Sequence, residues 1–222
     1  SINAGLADAV DKEIMIYVHG TKVDFANSTI LTAEIEHFAG RDFVGIAFAW
    51  PSHQNILSYL IGTDVQRALH SSASLHSLIV LLSEHTIAEH INVLSYSAGG
   101  RVTSKALFEL HQSFADMDST RLKDKFRLGS VVFAAADVEV DTFLERLQPI
   151  SRLAEQIVIT VTDEDNALKA GQLFMGGNVR AGTADAAIIE EVFLFSNDIR
   201  NVEIVDVSAG KEERGFNIAG HH

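Results

Sequence analysis

The stretch INVLSYSAGGRV, residues 91–102, decides how the rest of the chain is interpreted. It begins as a run of sheet-forming residues and ends in Ser, Ala and two glycines before a helix-compatible pattern starts. A simple chain reversal needs fewer specialised residues. A serine at the tip of a sharp strand-to-helix turn needs small residues two positions before and after it, because backbone and helix approach closely there. Ser97 fits that position, with Gly99 after it and Ser95 where glycine is commonest.

Such a turn predicts a nucleophile. Strain in the turn would push the Ser97 hydroxyl clear of the sheet, and the Ala98 N–H would face the oxyanion site at the start of the new helix. The pattern alone is weak, since a serine–glycine turn that caps a helix explains it as well. Its place between a strand and a helix in the middle of a sheet favours a hydrolase.

Six short β-rich runs predict the strands of that sheet, and most are nearly continuous in apolar residues, as in strands covered on both faces. They lie at 13–18, 43–50, 91–95, 129–135, 156–162 and 201–207. Helical patterns stand between them at 63–82, 102–113 and 139–148, and another starts near 164. Alternating strands and helices predict an α/β fold with a mostly parallel sheet and helices on both faces. We expect a single domain over residues 1–222.

Composition narrows the possible partners. A net charge of −13 argues against nucleic acid, because phosphate binding requires a basic face. The absence of cysteine rules out disulfides, thiolate chemistry and cysteine-ligated zinc. No apolar run approaches the ~18 residues of a transmembrane helix, and the first ten residues lack the form of a signal peptide. Compartment and oligomeric state stay open.

A serine nucleophile needs a histidine base, which an acid orients. In a fold with this elbow the chain order is Ser, then Asp or Glu, then His. The histidines after Ser97 are His111, His221 and His222. His111 would lie ~20 Å away by helix rise, so the base is His221 or His222. The alternative is that these two residues belong to a tag or a disordered end.

The candidate acids follow the fourth and fifth predicted strands. Asp163 and Asp165 come after the fifth, and Asp137 after the fourth. Each could instead cap a helix, since aspartate is favoured there. Asp165 is the first choice and Asp137 the second.

The loop after the first strand, HGTKV (19–23), would supply the second oxyanion donor. Gly20 and Thr21 allow a tight backbone path, and we predict the Gly20 N–H as that donor. His19 either orders this loop as scaffold or contacts substrate. Trp50, after the second strand, either lines the pocket or anchors a proline turn as a buried residue. The candidate substrate-binding residues are His19, Thr21, Trp50 and Tyr96.

Together these pieces resemble the α/β-hydrolase superfamily and, more narrowly, an uncharacterised bacterial family of esterase- and lipase-like proteins (domain of unknown function 900). That family shows an H-G block, F-x-W-P-S, a tyrosine and an aspartate ahead of a long helix, an H-S-M-G-like elbow, a P-D-like block, D-x-A-L, R-x-G and a terminal G-H block. The corresponding pieces here are YVHG (17–20), FAWPS (48–52), Tyr59, Asp64, SYSAGGR (95–101), AADVEVDTF (135–143), DNAL (165–168), RAG (180–182) and AGHH (219–222).

The resemblance implies Ser97, Asp165 and His221 as a catalytic triad that hydrolyses an ester-like bond through an acyl-enzyme. It supplies no substrate. Two positions depart from the family, because Tyr-Ser-Ala-Gly replaces His-Ser-Met-Gly and Ala136 stands where proline is common. The family usually continues past its terminal histidine block, so we expect a chain truncated at one or both ends.

The segment 136–156 is the usual site of a lid, and it holds one apolar helix pattern only. A large lipase-type lid does not fit there, so a small or moderately exposed acyl substrate is expected. We expect no cofactor and no metal, since no two histidines have a favourable ligand spacing.

Two other functions compete with the enzyme. The first is a hydrolase-fold binding module without activity, which Ser95 and the terminal histidines motivate. The second is a nucleotide-binding domain that uses the Gly-Gly turn, but no lysine–Ser/Thr pair follows those glycines and no G-x-G-x-x-G is present.

Overall fold

A computed structural model describes residues 1–40, 42–53, 63–161, 181 and 199–207. Its centre is a six-stranded sheet in the order β2-β1-β3-β4-β5-β6, in which every neighbouring pair is parallel. The strands are β1 (Glu13–Val18), β2 (Val44–Phe48), β3 (His90–Tyr96), β4 (Leu128–Ala134), β5 (Ala154–Val161) and β6 (Val202–Asp206).

All six predicted runs are strands, and the first has the predicted bounds at both ends. The continuous apolar pattern has the expected cause in β1, where every residue after Glu13 is buried. β2 differs because it is an edge strand, and all five of its residues are half-buried. The predicted fold of a mostly parallel sheet with helices is therefore confirmed.

Six helices accompany the sheet in the described residues. They are α1 (Ile2–Asp8), α2 (Phe25–Phe38), α3 (Thr63–His85), α4 (Gly99–Ser113), α5 (Ser119–Phe126) and α6 (Val140–Ser151). The predicted helices at 63–82, 102–113 and 139–148 correspond to α3, α4 and α6, and α4 begins three residues early because two glycines form its first turn. The helix predicted from about 164 lies outside the described residues.

The buried stripe of α3 follows the apolar pattern of the sequence from Ser72 onward, at Ser72, Leu75, Ile79 and Leu82. It differs in the first two turns, where Asp64 and Ala68 are buried in place of the neighbouring Val65 and Leu69. A carboxylate thus occupies an inner position at the start of this helix.

The strand order places a crevice at one end of the sheet. After β1 the chain runs to β2 on one side, and β3 then returns to pair with β1 on the other. In open parallel sheets such a reversal leaves a crevice beyond the carboxyl ends of the two strands between which it occurs, here β1 and β3. The loop that begins at His19 and the turn at Ser97 follow β1 and β3 there.

Candidate functional site

The turn between β3 and α4 has the strained geometry that the sequence predicts. Ser97 has φ +52°, in the left-handed region that non-glycine residues rarely adopt. Its N–H donates to the Ala134 carbonyl over 2.9 Å, and its own carbonyl accepts from the N–H of Gly100 (2.9 Å) and of Asp137 (3.1 Å). Such a conformation costs about 1–3 kcal/mol and persists only where the surroundings fix it. Ser97 keeps 5% of its surface accessible.

Glycine is required at position 99 because α4 begins directly against β1. A Cβ there would lie 2.3 Å from the Val18 carbonyl oxygen and 2.7 Å from that of His19. Both obstacles are backbone atoms, so neither can move aside cheaply. Ser95, at the other small position, is buried, and its hydroxyl donates to the Val132 carbonyl over 3.0 Å. Serine therefore fits at the position where glycine is commonest in such a turn.

Gly20 brings the backbone of the loop after β1 onto the same turn. A Cβ at Gly20 would lie 3.1 Å from Ser97 Cβ and 3.2 Å from Tyr96 Cδ1. The two predicted oxyanion residues, Gly20 and Ala98, thus both adjoin Ser97. Their role in stabilising an oxyanion stays a prediction.

His19 and Trp50 bind each other reciprocally beside this loop. The Trp50 N–H donates to His19 Nε2 (3.1 Å), and the indole Nε1–H donates to the His19 carbonyl (2.6 Å). Since a peptide N–H can only donate, Nε2 is an acceptor and Nδ1 carries the proton that it donates to the Gly20 carbonyl over 2.7 Å. The two rings also stack, with centroids 5.2 Å apart. Burial lowers the pKa of His19, in keeping with a neutral ring.

These contacts correct two of the predicted substrate contacts. His19 is fully buried with both ring nitrogens bonded, and Trp50 is buried beneath it. Neither side chain has surface to offer a ligand, so His19 is scaffold and Trp50 anchors the proline turn, which were the alternatives for each. Thr21 and Tyr96 are half-buried at this edge, and their contact with substrate stays a prediction.

Asp137, the second-choice acid, lies next to the turn. Its N–H bonds the Ser97 carbonyl, and its carboxylate Oδ1 lies 3.5 Å from Arg101 Nη2, with both side chains buried. Asp165, Asp163, His221 and His222 lie outside the described residues, as does Tyr59. The structure therefore brings Ser97, Gly20, Ala98 and Asp137 together, while the rest of the triad stays a prediction.

A buried polar cluster with no role predicted from the sequence lies beside the same loop. Asp64 is fully buried, and its Oδ1 lies 2.8 Å from His53 Nδ1 while its Oδ2 accepts from the His53 N–H (3.0 Å). Arg67 Nη1 lies 3.5 Å from Oδ1, and the Thr21 hydroxyl lies 3.5 Å from Oδ2. An aspartate in the first turn of a helix resembles a cap, so the sequence offered only the family block as a signal.

The described ranges contain no group of three or more His, Cys, Asp or Glu side chains that could hold a metal ion. Across those same ranges, every helix is too short or too polar to cross a membrane.

A sequence profile for the family "Alpha/beta hydrolase of unknown function (DUF900)" matches residues 1–218. No curated protein matches the chain at a significant level. Together with the parallel sheet, the profile confirms the predicted α/β-hydrolase fold class and the family resemblance.

The chain is similar to several solved structures of low sequence identity, three of which are the following. An uncharacterized protein from Bacillus cereus ATCC 10987 has 18% identity and a TM-score of 0.49, over 89% of this chain and 53% of that one. Esterase B from Lactobacillus rhamnosis has 13% identity and a TM-score of 0.46, and the match covers 94% of this chain and 69% of that one. A lipase-esterase related protein from Clostridium acetobutylicum has 11% identity and a TM-score of 0.42, and the match covers 91% of this chain and 88% of that one. The chain thus spans about half the length of the Bacillus protein.

Proposed function

Because the chain belongs to the family of α/β hydrolases of unknown function (DUF900), we propose that it is a serine hydrolase that cleaves an ester-like bond, a carboxylic ester or a thioester. The observation that carries the proposal is the left-handed Ser97 at the end of β3, with the Gly20 backbone against it. A serine that only capped a helix would not need this conformation, since ordinary capping residues have extended backbone.

The proposed reaction begins when Ser97 Oγ attacks the carbonyl carbon of the substrate while His221 takes the hydroxyl proton. Asp165, or Asp137 in its place, orients the imidazole. The N–H groups of Gly20 and Ala98 hold the negative oxygen of the tetrahedral intermediate. His221 then returns the proton to the departing alcohol or thiol, and water cleaves the acyl-enzyme by the same steps in reverse.

Preorganisation is the physical basis of the proposed rate enhancement. Donors fixed in place before the reaction lose no free energy in reorganising around the developing charge, and removal of one oxyanion donor typically slows such enzymes about a hundred- to thousandfold. Gly20 and the start of α4 are fixed by close backbone packing, as the clash at position 99 demonstrates. The site therefore suits a reaction that builds charge on one oxygen.

The second candidate is a binding module that keeps the fold without the chemistry. It is favoured by the small accessible fraction of Ser97 and by the pairing of Asp137 with Arg101. It predicts no turnover that depends on Ser97, together with a ligand or protein partner.

Turnover of short p-nitrophenyl esters by the intact protein separates the two. We expect hydrolysis by the wild type and a loss of at least about a thousandfold in kcat for Ser97→Ala. Ser95→Ala is the matched control, since it removes a buried hydroxyl two residues away that bonds only the Val132 carbonyl. Equal rates for wild type and Ser97→Ala would reject the serine mechanism.

The same assay identifies the acid. Asp165→Asn is expected to lower kcat far more than Asp137→Asn, because the family pattern places the acid in the DNAL block. The opposite ranking would move the role to Asp137, whose N–H already bonds the Ser97 carbonyl.

A further inference from the structure

The loop after β1 is tied to its surroundings at three places. At its start, His19 is bound to Trp50. Further along, the Ser52 hydroxyl donates to the Val23 carbonyl (2.7 Å) and accepts from the Val23 N–H (3.3 Å). Between these two ties, the Thr21 hydroxyl points to Asp64. The WPSH segment after β2 and the first turn of α3 therefore form one brace around the loop.

Asp64 is the centre of the brace. A fully buried carboxylate is stable only when donors satisfy it, and these come from three segments: Thr21, His53 and Arg67. His53 Nδ1 lies 2.8 Å from Asp64 Oδ1, and Arg67 Nη1 lies 2.5 Å from His53 Nδ1 and 3.0 Å from Nε2. The His53 ring is thus enclosed between the carboxylate and the guanidinium.

We infer that Asp64 is a positioning residue that holds the Gly20 N–H in its oxyanion-binding place by bonding Thr21, the next residue along the chain. The inference rests on the proposed function, because it assigns Asp64 a part in stabilising the same oxyanion. Gly20 has no side chain of its own to be held by, and its backbone lies against Ser97 on one side. His19 bonds the Gly20 carbonyl from one side, and Thr21 is the neighbour on the other side whose side chain reaches the brace.

The length of the Thr21 contact fits this role. At 3.5 Å it is long for a hydroxyl hydrogen bond, whose usual range is about 2.5–3.0 Å. A bond that shortens only as charge develops on the substrate oxygen would lower the barrier without improving substrate binding.

Asparagine cannot replace Asp64. Oδ1 lies 3.5 Å from Arg67 Nη1, which can only donate, and Oδ2 accepts from the His53 N–H and faces the Thr21 hydroxyl, so both oxygens face donors. The amide has one acceptor oxygen, and either orientation sets its NH₂ group against donors. Asp64→Asn therefore breaks the brace while it keeps the volume of the side chain.

The sharper test leaves Asp64 in place and changes Thr21. Thr21→Val keeps the shape but removes the donor, and we expect kcat on a short p-nitrophenyl ester to fall about tenfold with KM within about twofold, less than the loss of a whole donor. Thr21→Ser should recover most of that loss. Thr29→Val is the matched control, because this exposed threonine bonds only its own helix at the Phe25 carbonyl.

A double-mutant cycle and an inhibitor complete the experiment. If Thr21 acts through Asp64, the double variant Thr21→Val/Asp64→Asn should be no slower than Asp64→Asn alone. An alkyl boronic acid, which forms a tetrahedral adduct with a serine nucleophile, should bind the Thr21→Val variant about tenfold more weakly, in parallel with kcat.

The outcomes separate the inference from the proposed function. Wild-type kcat in Thr21→Val, additive losses in the cycle, or a loss that Thr21→Ser does not recover would overturn the inference while Ser97-dependent turnover persists. Absence of Ser97-dependent turnover in the wild type would overturn the proposed function, and the inference with it.

Discussion

The two ends of the sheet both carry polar groups, but they differ in how closely the backbone packs. At the amino end, an open cleft of about 270 Å³ is lined by polar side chains: Glu13, His90, Asn92, Ser130, Glu155 and Gln156. His90 lies 3.4 Å from Glu13 and 3.6 Å from Glu155. At the carboxyl end, Ser97 lies in a tight turn with little open surface.

An inventory of side chains would favour the amino end, since it has an open cleft with a histidine between two carboxylates. Residues with positive φ occur at both ends: Lys12 and Arg127 before β1 and β4, and Ser97 and Ala135 after β3 and β4. The two ends differ in their glycines. A Cβ at Gly99 would meet two backbone carbonyl oxygens, whereas a Cβ at Gly129 would meet side-chain atoms of Asn92 and His90. The difference teaches that close backbone packing, rather than the number of polar groups, sets the Ser97 turn apart.

Glycine replacements at the two ends should differ most. In Gly99→Ala the new methyl would meet the Val18 carbonyl oxygen at 2.3 Å, so we expect a loss of about 3 kcal/mol or more in the free energy of unfolding. In Gly129→Ala at the amino end, the obstacle is the Asn92 side-chain oxygen at 2.5 Å, and we expect about 1–2 kcal/mol. Urea denaturation measures both. Equal losses would mean that α4 can shift away from β1.

Serine-to-glycine replacements should have opposite signs at the two ends. Ser97→Gly relieves the left-handed strain, so the protein should become more stable by about 1 kcal/mol as it loses its nucleophile. Ser130→Gly in β4 should destabilise by about 0.5–1 kcal/mol, because glycine weakens a strand interior. Thermal unfolding of both variants checks the pair. A destabilised Ser97→Gly would argue that the turn holds no strain.

The free energy of unfolding should depend on pH through His19, at the start of the loop after β1. Burial lowers the pKa of His19, so below the ordinary value of about 6.5 the unfolded chain takes up a proton that the folded chain resists. The free energy of unfolding should therefore fall as pH drops from about 7 towards 5. His19→Gln should make this slope shallower in urea melts at several pH values.

A second histidine provides the comparison for that slope. Burial, together with Arg152, lowers the pKa of His111 as well, so it contributes with the same sign. His111→Gln should remove its own share and leave that of His19. An unchanged slope in His19→Gln would show that the ring is protonated in the folded protein over this range.

The smallest effect is expected at the amino-end cleft. His90 and both glutamates are partly exposed, with Glu155 at 61%, and exposed ion pairs contribute about 0–1 kcal/mol. His90→Gln should shift the free energy of unfolding by less than about 1 kcal/mol and leave ester turnover unchanged. A large loss of turnover in this variant would indicate that the reaction depends on the amino-end cleft.

The sequence was sufficient where one physical signal dominates. Continuous apolar runs identified the strands, because parallel strands are covered on both faces, and β1 matches its run at both ends. The turn at Ser97 was readable because a close approach of backbones requires small residues at fixed spacing.

Other features depend on packing that no local pattern encodes. α2 was missed because it buries Ser28 and Thr32 and turns Phe25 and Phe38 outward, with 74% and 84% of their surface exposed. The role of His19 needed the position of Trp50, 31 residues away. The proposed role of Asp64 depends on its contact with Thr21, which lies 43 residues earlier in the chain.

Covalent labelling of the intact protein with a fluorophosphonate, followed by peptide mapping, tests the central claim most directly. The probe phosphonylates a serine only where a base activates the hydroxyl and donors hold the resulting oxygen. The account predicts one adduct, on Ser97, that disappears in Ser97→Ala and is retained in Ser95→Ala. An intact, folded protein that gives no adduct at Ser97 would contradict it.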